Sequence, residues 1–163
     1  DEDVIAFLKY FTFLSREEIE ALEQVVEDAP EAREAQRALA RAVTALCHGE
    51  EEVRQAEEIT RAFFAGEVEV LSESQLELAC RGMPMTALGV VEEGGVAVLD
   101  LLARLGLAES KKKGRELIAA GAIHINGRRV EMADARISRD WARFGRYLIV
   151  RKGKKTYHAA TLS

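Results

Sequence analysis

Ser110-Lys111-Lys112-Lys113-Gly114-Arg115-Glu116-Leu117-Ile118, then Ala122-Ile123-His124-Ile125-Asn126-Gly127-Arg128-Arg129-Val130, reads first as a helix and then as a hairpin. Ser110 is an N-cap residue, because its hydroxyl can accept from a free N–H of the first turn. At about 100° per residue, Gly114, Leu117 and Ile118 share the inward face. Lys111, Lys112 and Arg115 fall on one exposed arc, and Lys113 points elsewhere. Four cations near a helix start oppose the macrodipole, and a bound phosphate would relieve that conflict. Asn126-Gly127 is the strongest two-residue hairpin signal. In that register Ile123 faces Val130 toward the core, while His124 faces Arg129 toward solvent. Arg128 and Arg129 then open the return strand.

Outward from this stretch, Val98, Leu101, Leu102 and Leu105 form a short amphipathic helix closed by Gly106. Downstream, Tyr147-Leu148-Ile149-Val150 is a strand, Arg151-Lys152-Gly153-Lys154-Lys155 its projecting basic tip, and Thr156-Tyr157-His158 the return. Upstream, the period is helical throughout. Residues 4–11 carry Val4, Ile5, Phe7, Leu8 and Phe11. Ser15 and Glu18 form a capping box ahead of Ile19, Leu22, Val25 and Val26. Pro30 suits the first turn of a third helix burying Ala35, Leu39, Ala42, Val43 and Leu46. Gly49 caps that helix. A fourth, from about residue 51 to 65, turns Val53, Ala56, Thr60, Phe63 and Phe64 inward until Gly66. Ser72 and Gln75 box a fifth. Gly82, Pro84, Gly94 and Gly95 punctuate the passage to the basic half.

The expected fold class is therefore α+β: an all-helical domain over residues 1–82, a linker over 83–94, and a small α+β domain over 95–163. Charge divides the same way. Residues 1–93 carry eight Lys/Arg against 22 Asp/Glu, net −14, and residues 94–163 carry 15 against six, net +9. Such asymmetry points to a polyanion meeting the basic half. The 163 residues are 48% hydrophobic and 31% charged with two prolines, a composition that folds. No apolar run approaches the roughly 18 residues of a membrane span, and the opening Asp1-Glu2-Asp3 is unlike a signal peptide. Cys47 and Cys80 have no metal-ligand spacing and fit a reducing compartment. Without an initiator Met, the chain is expected to be processed or a fragment.

Two resemblances rest on these residues. Gly106-Leu107-Ala108, Ser110-Lys111, Leu117-Ile118 and Ile125-Asn126-Gly127 resemble the RNA-binding module of small-subunit ribosomal protein S-four, with Lys111 where that family has Arg and Gly114 where it has Ala. Phe7 to Ser15, Gln36, Leu39-Ala40, Val43-Thr44, Cys47-His48-Gly49-Glu50 and Phe63-Phe64, with Phe144 to Tyr147 and 151–155, resemble the region after the catalytic domain of bacterial tyrosyl-tRNA synthetase. That resemblance implies a helical anticodon-arm-binding domain followed by an S-four-like domain, together gripping the anticodon arm and long variable arm of tyrosine tRNA. The expected RNA contacts are Lys111, Lys112, Lys113, Arg115, Arg128, Arg129, Arg151, Lys152, Lys154 and Lys155. No catalytic residue, metal or cofactor is expected in this chain, since the family's ATP-handling signatures do not occur; ATP and tyrosine would bind an absent catalytic domain. The resemblance further implies a cytoplasmic protein, monomeric as a fragment and homodimeric at full length. A stand-alone S-four-type protein acting on ribosomal RNA, and a protein-interaction module docking through the acidic half, are the alternatives.

Overall fold

The computed structural model describes residues 3–89 and 94–163. It is an α+β protein in two compact units, Asp1–Glu58 and Ile59–Ser163. The first holds α1 (Val4–Phe11), α2 (Arg16–Asp28), α3 (Glu34–His48) and the opening turns of α4 (Glu50–Ala65). Its α2 begins on the expected box: Ser15 Oγ accepts from Glu18 N at 3.2 Å and Glu18 Oε2 from Ser15 N at 2.7 Å. Val4, Leu8, Ile19 and Ala35 are its buried cluster, with Leu22, Val26 and Leu39 packed against them. Pro30 does not start α3. Pro30–Ala32 makes its own 3-10 turn, and Arg33, left-handed at φ 53°, separates it from the helix. Leu46 and Ala56 of this unit, and Thr60 just beyond it, all expected inward, are exposed.

In the second unit, the end of α4 and α5 (Glu73–Arg81) precede β1 (Met85–Gly89), β2 (Val96–Ala97), α6 (Val98–Arg104) and α7 (Lys111–Ala119). Then come β3 (Ile123–Ile125), β4 (Arg128–Arg129), β5 (Arg136–Ile137), β6 (Tyr147–Lys152) and β7 (Thr156–Leu162). The five-stranded sheet has the order β1-β7-β6-β3-β4, and β2 and β5 form a separate ribbon. β1 runs parallel to β7, and the other pairs of the main sheet are antiparallel.

Two layers cover this sheet. On one face Leu148, Val150, Ala160 and Leu162 meet Ile123, Ile125, Val130 and the apolar sides of α6 and α7. On the other, Tyr147, Ile149 and Ala159 meet Ala62, Val68, Leu71, Leu76 and Cys80. Burial on both sides explains why β6 reads as a continuous apolar run rather than an alternating one. It also explains where the units divide. Residues 59–81 cover the second face of the sheet, so they belong with it and not with the preceding helices. The span expected as a linker likewise contributes β1, whose Met85 pairs with Ala159; residues 90–93 of that span lie outside the described residues. Phe63 stacks edge-on against Tyr157 at 4.9 Å and its carbonyl accepts from Tyr157 Oη at 2.6 Å. Adjacent helical residues point about 100° apart, so Phe64, expected inward, is 82% exposed.

The Asn126-Gly127 turn has φ values of 48° and 81°, the type I′ signature. Asn126 is itself buried. Its Nδ2 donates to Trp141 O at 2.6 Å and Tyr147 O at 3.1 Å, and its Oδ1 accepts from Ile149 N at 2.8 Å. One amide thus ties the hairpin to β6 and to the turn before it. Gly114 brings α7 close to α6: a Cβ there would lie 2.9 Å from Leu99 Cδ2.

Candidate nucleic-acid interface

Helix α7 presents its cations as its sequence dictates. Ser110 Oγ accepts from Lys113 N at 3.1 Å, fixing the start. Gly114 and Ile118 are buried, and Lys111, Lys112, Lys113 and Arg115 are exposed. They are not equivalent. Lys111 Nζ sits 2.7 Å from Asp100 Oδ1 of α6. The hydrogen bond from Lys111, and then its charge, hold the Asp100 carboxyl below its ordinary range. Lys113 Nζ lies 3.1 Å from Glu116 Oε2. Among the described residues Lys112 and Arg115 have no carboxylate partner, so they hold the helix's unspent positive charge. Both ion pairs are solvent-exposed, and such pairs yield readily to a competing phosphate.

The hairpin has the expected register, with His124 opposite Arg129 and Ile125 opposite Arg128. The second basic segment differs from its expected form. Arg151 and Lys152 belong to β6, where Arg151 pairs with His124 and Tyr157, and Lys152 with Ile123 and Thr156. The tip is only Gly153-Lys154-Lys155, and Gly153 N donates to Ala122 O at 2.7 Å. The tip therefore lies beside the turn that follows α7. Arg151 and Lys152 are half-buried in the middle of the sheet, because β6 extends two residues further than its apolar run and is flanked on both sides.

Strand alternation sorts these cations. Arg129 and Arg151 lie on the Tyr147–Ile149 face, one on each side of His124. Arg128 and Lys152 lie toward the face covered by α6 and α7. His158 is accounted for differently: its Nε2 is 2.9 Å from Thr86 Oγ1 of β1. Trp141 packs partly buried against the buried cluster between the sheet, α6 and α7. The arginines of the turn before β6 were not among the expected contacts, and the structure gives them local work. Arg143 donates to Leu71 O at 3.2 Å and stacks on Phe144 at 4.7 Å. Arg139 donates to Gly145 O at 3.1 Å. The position of His124 between two arginines was half legible. Its Arg129 neighbour follows from Asn126-Gly127, but the Arg151 neighbour depends on the β3–β6 register, which no turn residue encodes.

The sequence matches known proteins over nearly the whole chain. Residues 75–160 match the model of the tyrosine–tRNA ligase SYY-like C-terminal domain. Residues 1–65 match the model of class I tRNA synthetases of the W and Y type. The chain is similar to the tyrosine–tRNA ligase of Geobacillus kaustophilus, with 46% identity over 97% of this chain and 37% of that protein. It is also similar to those of Bacillus caldotenax, at 46% over the same shares, and Limosilactobacillus reuteri, at 44% over 98% and 38%. It thus spans little more than a third of the length of these relatives, and it belongs to the tyrosine–tRNA ligase family, whose SYY-like C-terminal domain it carries.

Proposed function

We propose that this chain is the tRNA-binding portion of a tyrosine–tRNA ligase. Its helical unit takes the anticodon arm of tyrosine tRNA, and its sheet unit takes the long variable arm. The mechanism is positional: cations grip phosphates, and those contacts set register and orientation without reading sequence. ATP, tyrosine and the aminoacylation step belong to the part of such ligases that this chain does not span. The observation that carries this reading is the cation set on contiguous elements of the sheet unit. Lys112 and Arg115 on α7, Arg128 and Arg129 on β4, Arg151 and Lys152 on β6, and Lys154 and Lys155 at the tip have no ion-pair partner among the described residues. Lys111 and Lys113 join this set when their carboxylates release them. Among the described residues, no helix is long and apolar enough to cross a membrane. A cytoplasmic site of action and homodimerisation at full length complete the proposal.

Filter binding of the chain to tyrosine tRNA, with and without the variable arm, is the test. The expected result is salt-dependent binding that weakens when the arm is deleted. Changing Lys112 and Arg115 to Gln should reduce the slope of log affinity against log salt by about 0.7–0.9 for each phosphate no longer neutralised. Equal affinity for both RNAs with an unchanged slope would remove the variable arm from the reading. Tighter binding to a ribosomal RNA fragment would replace the partner.

A further inference from the structure

Among the described residues of the sheet unit, Phe64 is the large apolar side chain that water reaches most, at 82% exposure. Its neighbour holds it there. Phe63 is fixed against β7, with its ring edge-on to Tyr157 and its carbonyl accepting from Tyr157 Oη. The last turn of α4 cannot roll Phe64 inward without giving up both contacts. A scattered exposed aromatic needs no explanation. This one borders a cleft of about 510 Å³, within the range of roughly 300–1,000 Å³ of small-molecule sites. The cleft is lined by Thr60 and Phe64 of α4, Met83 after α5, Lys154 and Lys155 of the β6–β7 tip, and Tyr157 of β7. All of these belong to the sheet unit.

Lys154 and Lys155 are the only charged residues lining the cleft, and neither has an ion-pair partner among the described residues. Tyr157 has already given its hydroxyl proton to Phe63 O. The cleft thus joins an aromatic, apolar wall to two unspent cations and lines itself with no carboxylate. A flat ring carrying an anion fits that combination. A purely apolar partner segment would cover Phe64 and leave two ammonium groups without a counter-charge. The groove of the helical unit lacks the combination: Phe7 and Phe11 line it, but its one charged lining residue is Asp3. Every nucleobase has a π-face, and aromatic side chains beside cations are the general means of holding unpaired bases.

We infer that Phe64 is a stacking platform for an unpaired nucleobase, with the phosphate adjoining that base held by Lys154 and Lys155. The inference rests on the proposed RNA function for its ligand and adds a requirement to it. Cations on phosphates hold paired and unpaired RNA alike, whereas this cleft needs a base that has left its stack. A free nucleotide offers the same chemistry.

Two measurements on the full chain test it. The first is NMR of the phenylalanine ring protons, with the Phe64→Leu spectrum assigning the Phe64 signals. The probes are adenosine 5′-monophosphate, ribose 5-phosphate and a short unstructured RNA. A stacked base should move the Phe64 signals upfield with the RNA and leave them in place with ribose 5-phosphate. A matching shift with adenosine 5′-monophosphate assigns the cleft to free nucleotides as well, and a shift with RNA alone assigns it to the polynucleotide. Equal shifts with ribose 5-phosphate, or no Phe64 shift with either base-bearing probe, overturn the platform.

The second measurement is tyrosine tRNA affinity across salt concentrations for variants of Phe64. Phe64→Trp keeps a π-face and should bind at least as tightly as the parent. Phe64→Ala should weaken binding about tenfold, with an unchanged salt slope because no charge is lost. Phe64→Leu, apolar but without a ring, should fall with Ala. Lys154→Gln combined with Lys155→Gln should instead lower the slope, by about 0.7 for each phosphate released from a single strand. Phe64 is exposed, so circular dichroism melting should be the same for all its variants. If Leu and Ala bind as tightly as the parent while Lys112→Gln and Arg115→Gln weaken binding, the platform falls and the RNA reading stands. A concentration-dependent dimer in sedimentation that Phe64→Ala abolishes would give this face to a second copy and overturn the platform. If the parent itself does not bind tRNA, the RNA reading falls, and the nucleotide titration alone decides the cleft.

Discussion

Val4, Leu8, Ile19 and Ala35 form the buried cluster of the helical unit, whereas the sheet unit has a buried layer on each side of β6. The helical unit leaves Tyr10 78% and Phe13 92% exposed and encloses a groove of about 710 Å³ lined by Phe7, Phe11, Leu39 and Val43. Its helices depend on local devices: the Ser15 capping box, the Gly49 stop, and Arg41, which bonds Glu57 at 2.7 Å and Glu50 at 3.1 Å across α3 and α4. The sheet unit depends on partners distant in sequence, such as Met85 with Ala159 and Asn126 with Ile149. Charge follows the same division. The unit with the larger core can hold unpaired cations near one another, because burial elsewhere offsets their repulsion.

Trp141 is the only tryptophan and packs on the sheet-unit core, so its fluorescence reports that unit, while far-ultraviolet dichroism reports both. Leu148→Ala should lower the Trp141 unfolding midpoint in urea by an amount equivalent to about 2–5 kcal/mol. Leu8→Ala should remove a comparable stability from the helical unit and leave the Trp141 transition in place. Equal movement of both signals would break the comparison, since the units would then unfold as one.

Asn126→Ala should cost the sheet unit about 2–4 kcal/mol, because the Ile149 N–H and two carbonyls lose a buried partner. A loss under 1 kcal/mol by the same fluorescence would mean water replaces the amide. Next in size are the two capping boxes. Ser15→Ala and Ser72→Ala should each cost about 1 kcal/mol, in the helical and the sheet unit respectively. This pair sharpens the comparison, for the same chemistry should move a different signal in each.

Acidification should weaken the sheet unit gradually. Burial lowers the proton affinity of His124 and His158 in the folded state. The unfolded chain therefore takes up these protons first, so stability is full above the ordinary histidine value near 6.5 and falls as pH drops through the lower folded values. A Trp141 midpoint constant from pH 7.5 to 5 would contradict this. The smallest effect is expected for Gly114→Ala. Helix propensity favours it by about 1 kcal/mol, and the 2.9 Å approach to Leu99 Cδ2 opposes it through the end of a flexible side chain. A net change within about 1 kcal/mol by thermal melting is expected, and a larger loss would show that α6 and α7 cannot adjust.

What was legible in the sequence was mostly local. Ser15, Ser72 and Ser110 each cap the helix their spacing announced, and Asn126-Gly127 set the β3–β4 register. The exposed α7 cations followed from helical angle alone. What was not legible depended on partners far along the chain. Nothing near Met85 announces a strand, because β1 exists only when β7 is beside it. Arg151 and Lys152 looked like loop residues because charge ends the apolar run before the strand ends. The pairing of Lys111 with Asp100 needed the α6–α7 crossing, and the row of Arg129, His124 and Arg151 needed the third strand. Phe64 could not be separated from Phe63 until Tyr157 chose between them.

β7 lies between β1 and β6, yet Thr156–Leu162 comes after both of them in the sequence. During translation β1 emerges about 70 residues before the strand it must join, and β6 lacks one edge partner until the same moment. The helical unit, built from neighbours in sequence, can mature while the rest is still on the ribosome. The sheet unit must wait, and slow long-range pairing then sets its pace. Until that insertion, the edge of β6 that β7 will occupy is an open template for another chain, so premature termination within residues 150–162 should yield an aggregating product rather than a shortened binder.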